Sequence, residues 1–225
     1  MKVKIVFVFV SLFFYSYIYC QQKKTPEFVS IQKYIPSIKV ELRYASNHNF
    51  IGHPIKGYFS NNAILTIEAA KALKKAQQEL IKKGYSLIIY DAYRPQKAVT
   101  EFVQWAKNLN DTLMKEEFYP TVAKKNLFNA GYISSHSRHS SGSTVDLSIV
   151  SLKTNQPIDM GSPYDFFGKP SWITYNTLSK KQKANRTLLQ TVMNKSGFRN
   201  YAKEWWHFTL RNEPYRNRYF NFNVE

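Results

Sequence analysis

The chain has 225 residues, 44% of them hydrophobic, and this size and composition suit one globular domain with a sizeable core. Its formal charge of +17 raises the question of a nucleic-acid partner, but the lysines are scattered through amphipathic segments, with no arginine-rich tail and no recognition motif. We therefore expect no nucleic-acid partner and interpret the charge as a solvated cationic surface, of a kind that anionic envelope polymers attract.

Residues 1–20 have the layout of a secretory signal peptide. Lys2 and Lys4 precede an apolar run from Ile5 to Phe14, which is short for a membrane span. We predict a signal peptide over residues 1–20 and one mature domain over residues 21–225, secreted or periplasmic and without a transmembrane segment. Only the two lysines would be lost on cleavage, which leaves a charge of +15.

Cys20 is the only cysteine. A mature chain that starts at Gln21 would contain none, which excludes disulfides, a cysteine nucleophile and thiolate zinc ligands. The alternative to cleavage is a lipid anchor on Cys20 itself, as in bacterial lipoproteins. The bulky Tyr19 stands where such sites usually have a small residue, so cleaved export is the first interpretation.

The first long amphipathic segment predicts a helix from about Ala63 to Lys83. Asn61 and Asn62 can cap its start, and Gly84 supplies its end. Its apolar side is marked by Ile64, Ala69, Leu73 and Leu80. A short apolar strand is expected next, from Ser86 to Tyr90.

Arg94 is expected at a strand-to-helix junction. It lies in the segment DAYRP, where Pro95 can start a second helix. The apolar residues of that helix are Val99, Phe102, Val103 and Trp105.

Alternation from Ser143 to Val150 predicts a strand with Asp146 on its polar face. A third helix is expected from about Lys180 to Lys195, followed by an aromatic strand from Trp205 to Leu210. Strands and helices mixed in this irregular order predict an α+β domain. We expect a single, mainly antiparallel sheet flanked by helices, whose polar face carries the chemistry.

Two histidines and one aspartate are candidate ligands for a metal ion. His139 and Asp146 are seven residues apart, and Gly142 between them lets the chain turn into the strand. Imidazole and carboxylate are both good zinc ligands, and His207 would complete a set of three. Three protein ligands and a water molecule form the usual catalytic arrangement.

Glu204 and Arg94 are the candidate catalytic groups. Glu204 precedes His207 by three residues, a spacing that places the two side chains on opposite faces of a regular strand. A bend or bulge is therefore required if both serve one site. A carboxylate beside the metal can accept a proton from water, and the fork of Arg94 can hold a developing oxyanion.

Five segments together carry a family resemblance. They are LRYASNHNFIG (Leu42 to Gly52), DAYRP (Asp91 to Pro95), SRHSSGSTVDL (Ser137 to Leu147), DMGSPYDFF (Asp159 to Phe167) and EWWHF (Glu204 to Phe208). In this order, from about Val40 to the C-terminus, the chain resembles the zinc D-alanyl-D-alanine dipeptidases of the VanX kind, within the wider group of zinc D,D-peptidases.

The resemblance implies one zinc ion per chain, bound by His139, Asp146 and His207. It implies that Glu204 shuttles the proton and that Arg94 stabilises the transition state. It also implies a compact α+β fold, which that family shares with zinc D,D-carboxypeptidases and Hedgehog signalling domains.

Three further residues match positions associated with substrate binding in that family. Asp165 would hold the substrate ammonium, and Tyr44 and Ser137 would also contact the substrate. Each has a structural alternative, since Asp165 can cap a helix, Tyr44 can be core and Ser137 can be a loop hydroxyl. Thr144 departs from the family pattern, where a small alanine is usual on the polar face near zinc.

The implied reaction is hydrolysis of the dipeptide D-Ala-D-Ala into two D-alanines, in cell-wall dipeptide turnover. One alternative is a zinc D,D-carboxypeptidase that acts on peptidoglycan stem peptides and needs an open groove. Another is a non-catalytic, zinc-containing binding module. The export signal differs from the cytoplasmic members tied to glycopeptide resistance, and favours salvage of dipeptide or trimming of wall fragments.

Overall fold

The structure is a computed structural model that describes residues 26–225. The signal peptide predicted over residues 1–20 and the alternative anchor at Cys20 lie outside the described residues. None of the helices within residues 26–225 has the length and apolar character that crossing a bilayer requires.

The described chain alternates short strands with helices. Its strands are β1 Phe28–Ser30, β2 Lys39–Val40, β3 Ile64–Thr66, β4 Tyr85–Asp91, β5 Thr144–Ser151, β6 Phe198–Tyr201 and β7 Glu204–Leu210. Its α-helices are α1 Ile31–Tyr34, α2 Ile67–Ile81, α3 Gln96–Lys107, α4 Lys115–Phe118 and α5 Lys180–Lys195. Short 3-10 helices lie at Arg43–Ala45, Lys124–Asn126, Arg138–Ser141 and Lys169–Ser171.

A five-stranded sheet in the order β2-β4-β5-β7-β6 forms the centre of the fold. Its pairings are antiparallel except for the parallel pair β2–β4, and β1 and β3 form a separate antiparallel pair. Helices α2 and α5 contact each other, with α2 also against β4 and α5 against β6 and β7. The predicted α+β domain with a mainly antiparallel sheet is confirmed.

The start predicted for the first long helix is wrong. Ile64–Thr66 forms a strand because it pairs with Phe28–Ser30, and the helix begins only at Ile67. Thr66, rather than Asn61 or Asn62, is the N-cap, and its side chain accepts a hydrogen bond from Ala69 N. The helical spacing of apolar residues could not reveal a pairing with a distant segment.

The polar face of β5 is covered rather than solvated. Thr144, Asp146 and Ser148 are each at most 2% exposed. Buried polar groups need partners, so the contacts of this face decide what the site can do.

Candidate metal centre and active site

Two neighbouring strands and one short helix bring the candidate ligands together. Asp146 on β5 lies directly opposite His207 on β7 in the antiparallel pairing. His139 comes from the 3-10 helix Arg138–Ser141, which ends at Gly142 with a φ of 78°. Glycine suits this left-handed conformation, and the turn leads the chain into β5 as the sequence predicted.

The three ligand atoms are spaced as a zinc ion requires. Asp146 Oδ1 lies 3.2 Å from His139 Nε2 and 3.1 Å from His207 Nδ1, and the two nitrogens are 3.3 Å apart. A tetrahedral ion with bonds of about 2.0 to 2.1 Å separates its ligand atoms by about 3.3 to 3.4 Å. A point about 2.1 Å from all three atoms lies about 1 Å outside their plane.

Asp146 Oδ1 shows that the site fits a cation. The atom is buried and has no hydrogen-bond partner among the described residues, and an unpaired buried acceptor is costly. Burial raises the pKa of Asp146, but the imidazoles of His139 and His207 more than reverse this and lower it below the usual carboxyl range. An ionised carboxylate oxygen flanked by two imidazole nitrogens fits zinc, and a fourth position stays free for solvent.

Each imidazole has a partner for its second nitrogen. His139 Nδ1 lies 2.7 Å from Ala92 O, so it donates there and keeps the Nε2 lone pair for the metal. His207 presents Nδ1 to the metal, and its Nε2 lies 3.4 Å from Thr209 Oγ1. Thr209 Oγ1 lies 2.9 Å from Thr144 Oγ1. Thr144, which stands where the family usually has a small alanine, therefore lies in a layer behind His207.

A bulge in β7 brings Glu204 to the metal centre. The pairing of β6 with β7 is regular as far as Asn200 opposite Phe208, and the next residue, Tyr201, pairs with Glu204. Three residues of β7 therefore have no counterpart in β6. Glu204 Oε2 lies 3.5 Å from His207 Nδ1, so the irregularity that the sequence required is present.

Glu204 is a poised carboxylate. Its side chain is 15% exposed, and burial raises its pKa to about 7, although the neighbouring His207 opposes the rise. A group with a pKa near the working pH can both accept and return a proton. A bound zinc ion would lower the pKa by its positive charge.

Arg94 approaches Asp146 Oδ2, whereas His207 approaches the other carboxylate oxygen, Oδ1. The Arg94 side chain is 12% exposed and reaches within 3.6 Å of Asp146 Oδ2. The guanidinium lies over the rings of Tyr44 and Phe102, at 4.9 and 5.2 Å from their centroids. Packing between two rings and a carboxylate holds a permanent positive charge close to the metal point.

Asp165 and Tyr44 form a buried pair at the same cavity. Tyr44 OH donates to Asp165 Oδ2 at 2.8 Å, and the two residues are 2% and 5% exposed. Burial raises the pKa of Asp165 well above its usual range, with a contribution from the charge of Asp146. Asp165 has a φ of 59°, unusual for a residue other than glycine.

Ser137 also borders the cavity, but its hydroxyl accepts a hydrogen bond from His139 N, as the N-cap of the 3-10 helix.

All eight candidate residues of the sequence analysis border one cavity of about 270 Å³. One wall is the segment 131–138, and Phe50, Phe102 and Phe167 add apolar surface. Lys203 Nζ donates to Ala130 O at 2.6 Å, and Trp172 Nε1 donates to Tyr132 OH at 3.1 Å, so this wall is attached to the rest of the domain. The cavity is of a size for a small ligand rather than a polymer.

Comparison with known proteins gives the same assignment as the site. The family model described as D-ala-D-ala dipeptidase, Peptidase M15, matches residues 24–225. The chain belongs to this family. It is 38% identical over 198 residues to a D-alanyl-D-alanine dipeptidase of Enterococcus faecium, covering 88% of this chain and 98% of the relative. It is 39% identical over 197 residues to one of Enterococcus faecalis, with the same coverage of both chains.

A solved structure is also similar to this member of the dipeptidase family. It is a vancomycin-resistance D,D-pentapeptidase, VanY, in complex with Zn(II). The identity is 15%, the TM-score is 0.41, and the match covers 68% of this chain and 76% of the other.

Sequence reasoning about this dipeptidase-family chain assigned no role at the site to three residues near the metal. Tyr164 OH donates to Asp146 Oδ2 at 3.2 Å, Tyr201 borders the cavity, and Asp91 binds Arg94. Tyr164 and Asp91 occur inside the segments that carried the resemblance, beside Asp165 and Arg94. Their place inside these segments was a signal that could have marked them as candidates. Their contacts could not be predicted, because these depend on the fold.

Proposed function

We propose that this chain hydrolyses the dipeptide D-Ala-D-Ala at a zinc ion held by His139, Asp146 and His207. The observation that supports this most strongly is the convergence of three ligand atoms beside Glu204 in a cavity of about 270 Å³. Membership of the D-ala-D-ala dipeptidase family and the names of its relatives in two enterococci point to the same substrate.

The proposed roles follow from the contacts. A zinc ion bound there would lower the pKa of a water ligand to about 7 and so supply hydroxide at neutral pH. Glu204 Oε2 accepts the proton of the attacking water and passes it to the leaving amine. The guanidinium of Arg94 donates to the carbonyl oxygen as negative charge develops on it.

Asp165 and Tyr44 are proposed to receive the free ammonium of the dipeptide. An ammonium beside Asp165 would favour its ionised form and so overcome the pKa rise that burial causes. Tyr44, whose pKa burial also raises, stays a neutral hydrogen-bonding group. Ser137, which borders the cavity, is proposed to contact the substrate through its hydroxyl. A stem peptide has no free ammonium at this position, so the pair favours the dipeptide.

The deciding experiment measures D-alanine release by the zinc-loaded chain from D-Ala-D-Ala and from a stem pentapeptide. We expect turnover of the dipeptide, its loss on chelation and its return on addition of zinc. Preference for the pentapeptide would replace this proposal by the D,D-carboxypeptidase alternative. Tight zinc binding without hydrolysis of either substrate would favour the non-catalytic module.

We further propose that the mature chain acts outside the cytoplasm, in salvage of dipeptide. The support is the signal-like pattern of residues 1–20. Mass measurement of the protein purified from its own cells tests this, with a chain starting at Gln21 expected. A diacylated or triacylated Cys20 would show the lipoprotein alternative, and an intact N-terminus would refute export.

A further inference from the structure

Asp91 is a buried carboxylate to which the chemistry above gives no role. It ends β4, pairs across the sheet with Asp146, and has a side chain that is 0% exposed. Burial raises its pKa, and the charges of Arg94 and His139 oppose that rise. A carboxylate so fully removed from water is costly unless its oxygens are paired, so its partners matter.

Both oxygens of Asp91 are in use. Tyr58 OH donates to Oδ1 at 2.6 Å. Arg94 donates to Oδ2 from Nε at 2.9 Å, and its Nη2 lies 2.8 Å from the same oxygen. Two nitrogens on one oxygen fix the rotation of the guanidinium plane.

This orientation leaves one edge of Arg94 for the cavity. Among residues 26–225, no protein group forms a hydrogen bond with Nη1, while the side chain borders the cavity. Asp146, at 3.6 Å from Nη2, is the competing carboxylate. Without the charge of Asp91, the guanidinium would be expected to pair with Asp146, which would change the orientation of Nη1 and set Arg94 in competition with the metal for its ligand.

Asp91 also lies against the first imidazole. His139 Nδ1 is 3.4 Å from Asp91 Oδ2, next to its 2.7 Å contact with Ala92 O. Arg94 N donates back to His139 O at 3.4 Å. Negative charge beside Nδ1 favours the tautomer with its proton there, which leaves Nε2 free to bind metal.

We propose that Asp91 is the positioning residue of this site. It holds Arg94 with Nη1 towards the substrate carbonyl and holds His139 in the tautomer that binds zinc. The Arg94 half of the inference rests on the proposed function, and the His139 half concerns zinc binding alone.

The test is Asp91→Asn, which keeps the shape of the side chain and removes its charge. With zinc saturating, kcat for D-Ala-D-Ala is expected to fall about 10- to 100-fold, with KM changed less than about threefold, because Arg94 acts on the transition state. The Kd for zinc, measured by chelator competition without substrate, is expected to rise about 10- to 100-fold.

Tyr58→Phe is the matched control. It removes one hydrogen bond from the same carboxylate, at Oδ1, and leaves the contacts to Arg94 and His139 in place. Both variants are expected to lose thermal stability, but Tyr58→Phe should keep kcat and the Kd for zinc within about threefold of the parent. Equal changes in both variants, or unchanged kcat and Kd in Asp91→Asn, would overturn the proposal.

Asp91→Glu replaces the test variant if Asp91→Asn does not fold. It keeps the charge but moves the carboxylate by one methylene, so a loss of kcat of the same order is expected, and kcat within threefold of the parent would overturn the proposal. A parent chain that does not hydrolyse the dipeptide would refute the proposed function. A zinc Kd raised by Asp91→Asn and not by Tyr58→Phe would then still support the role of Asp91 at His139.

Discussion

Glu204→Gln is the sharpest test of the reaction. Glutamine has the shape of the protonated acid but cannot accept a proton, so the substitution removes the base alone. Loss of a general base costs about 10²- to 10⁴-fold in rate, which corresponds to about 2.7 to 5.4 kcal/mol of activation free energy. We therefore expect kcat for D-Ala-D-Ala to fall by at least about a hundredfold.

Zinc binding should survive this change. Glu204 Oε2 lies 3.5 Å from His207 Nδ1 and is outside the set of three ligand atoms. Burial raises the pKa of Glu204 to about 7, so its surroundings tolerate the neutral acid, and a neutral amide of the same shape fits the pocket. Metal analysis should find one zinc per chain in both proteins. A kcat within threefold of the parent at full zinc occupancy would remove Glu204 from the mechanism.

Four further predictions concern the same site. Arg94→Ala should lower kcat by about a hundredfold or more at full zinc occupancy, and an unchanged kcat would refute its role. His139→Ala should lose zinc and activity together, whereas tight zinc in this variant would contradict the ligand set. Thr209→Val should weaken zinc binding about tenfold in chelator competition, because His207 Nε2 loses its acceptor. The pH profile of kcat/KM should fall on the acid side as Glu204 is protonated. Since zinc lowers its pKa from about 7, the midpoint of that limb should lie at or below pH 7, and a midpoint above pH 7 would contradict the assignment.

Local signals in the sequence predicted some elements closely. The bounds of α5, Lys180–Lys195, match the prediction because the helix is specified locally. Ser179 and Gln182 form a capping box at its start, and Gly197, with a φ of 101°, follows its end. The predicted start of α2 is wrong because β3 forms by pairing with β1, which is far away in the chain.

The residues of the candidate site also divide into those that local sequence features reveal and those that depend on distant parts of the chain. His139, Asp146 and His207 could be found because ligand chemistry limits the choice to a few residue types. The three-residue spacing of Glu204 and His207 shows that a bulge is required if both serve one site. It does not show where in the strand the bulge lies. No role could be assigned to Asp91 from the sequence, because that role depends on the positions of Arg94 and His139 in the fold.

The opposition of Asp146 and His207 on adjacent strands has a consequence for the metal-free chain. Backbone hydrogen bonds of β5 and β7 set the distance between these two ligands, whichever ion is present. Metal therefore enters a scaffold assembled beforehand, unlike a zinc finger, whose folding free energy comes from the ion. Such a scaffold can accept its ion after the chain has folded, so the divalent ions available at that time influence which one it carries.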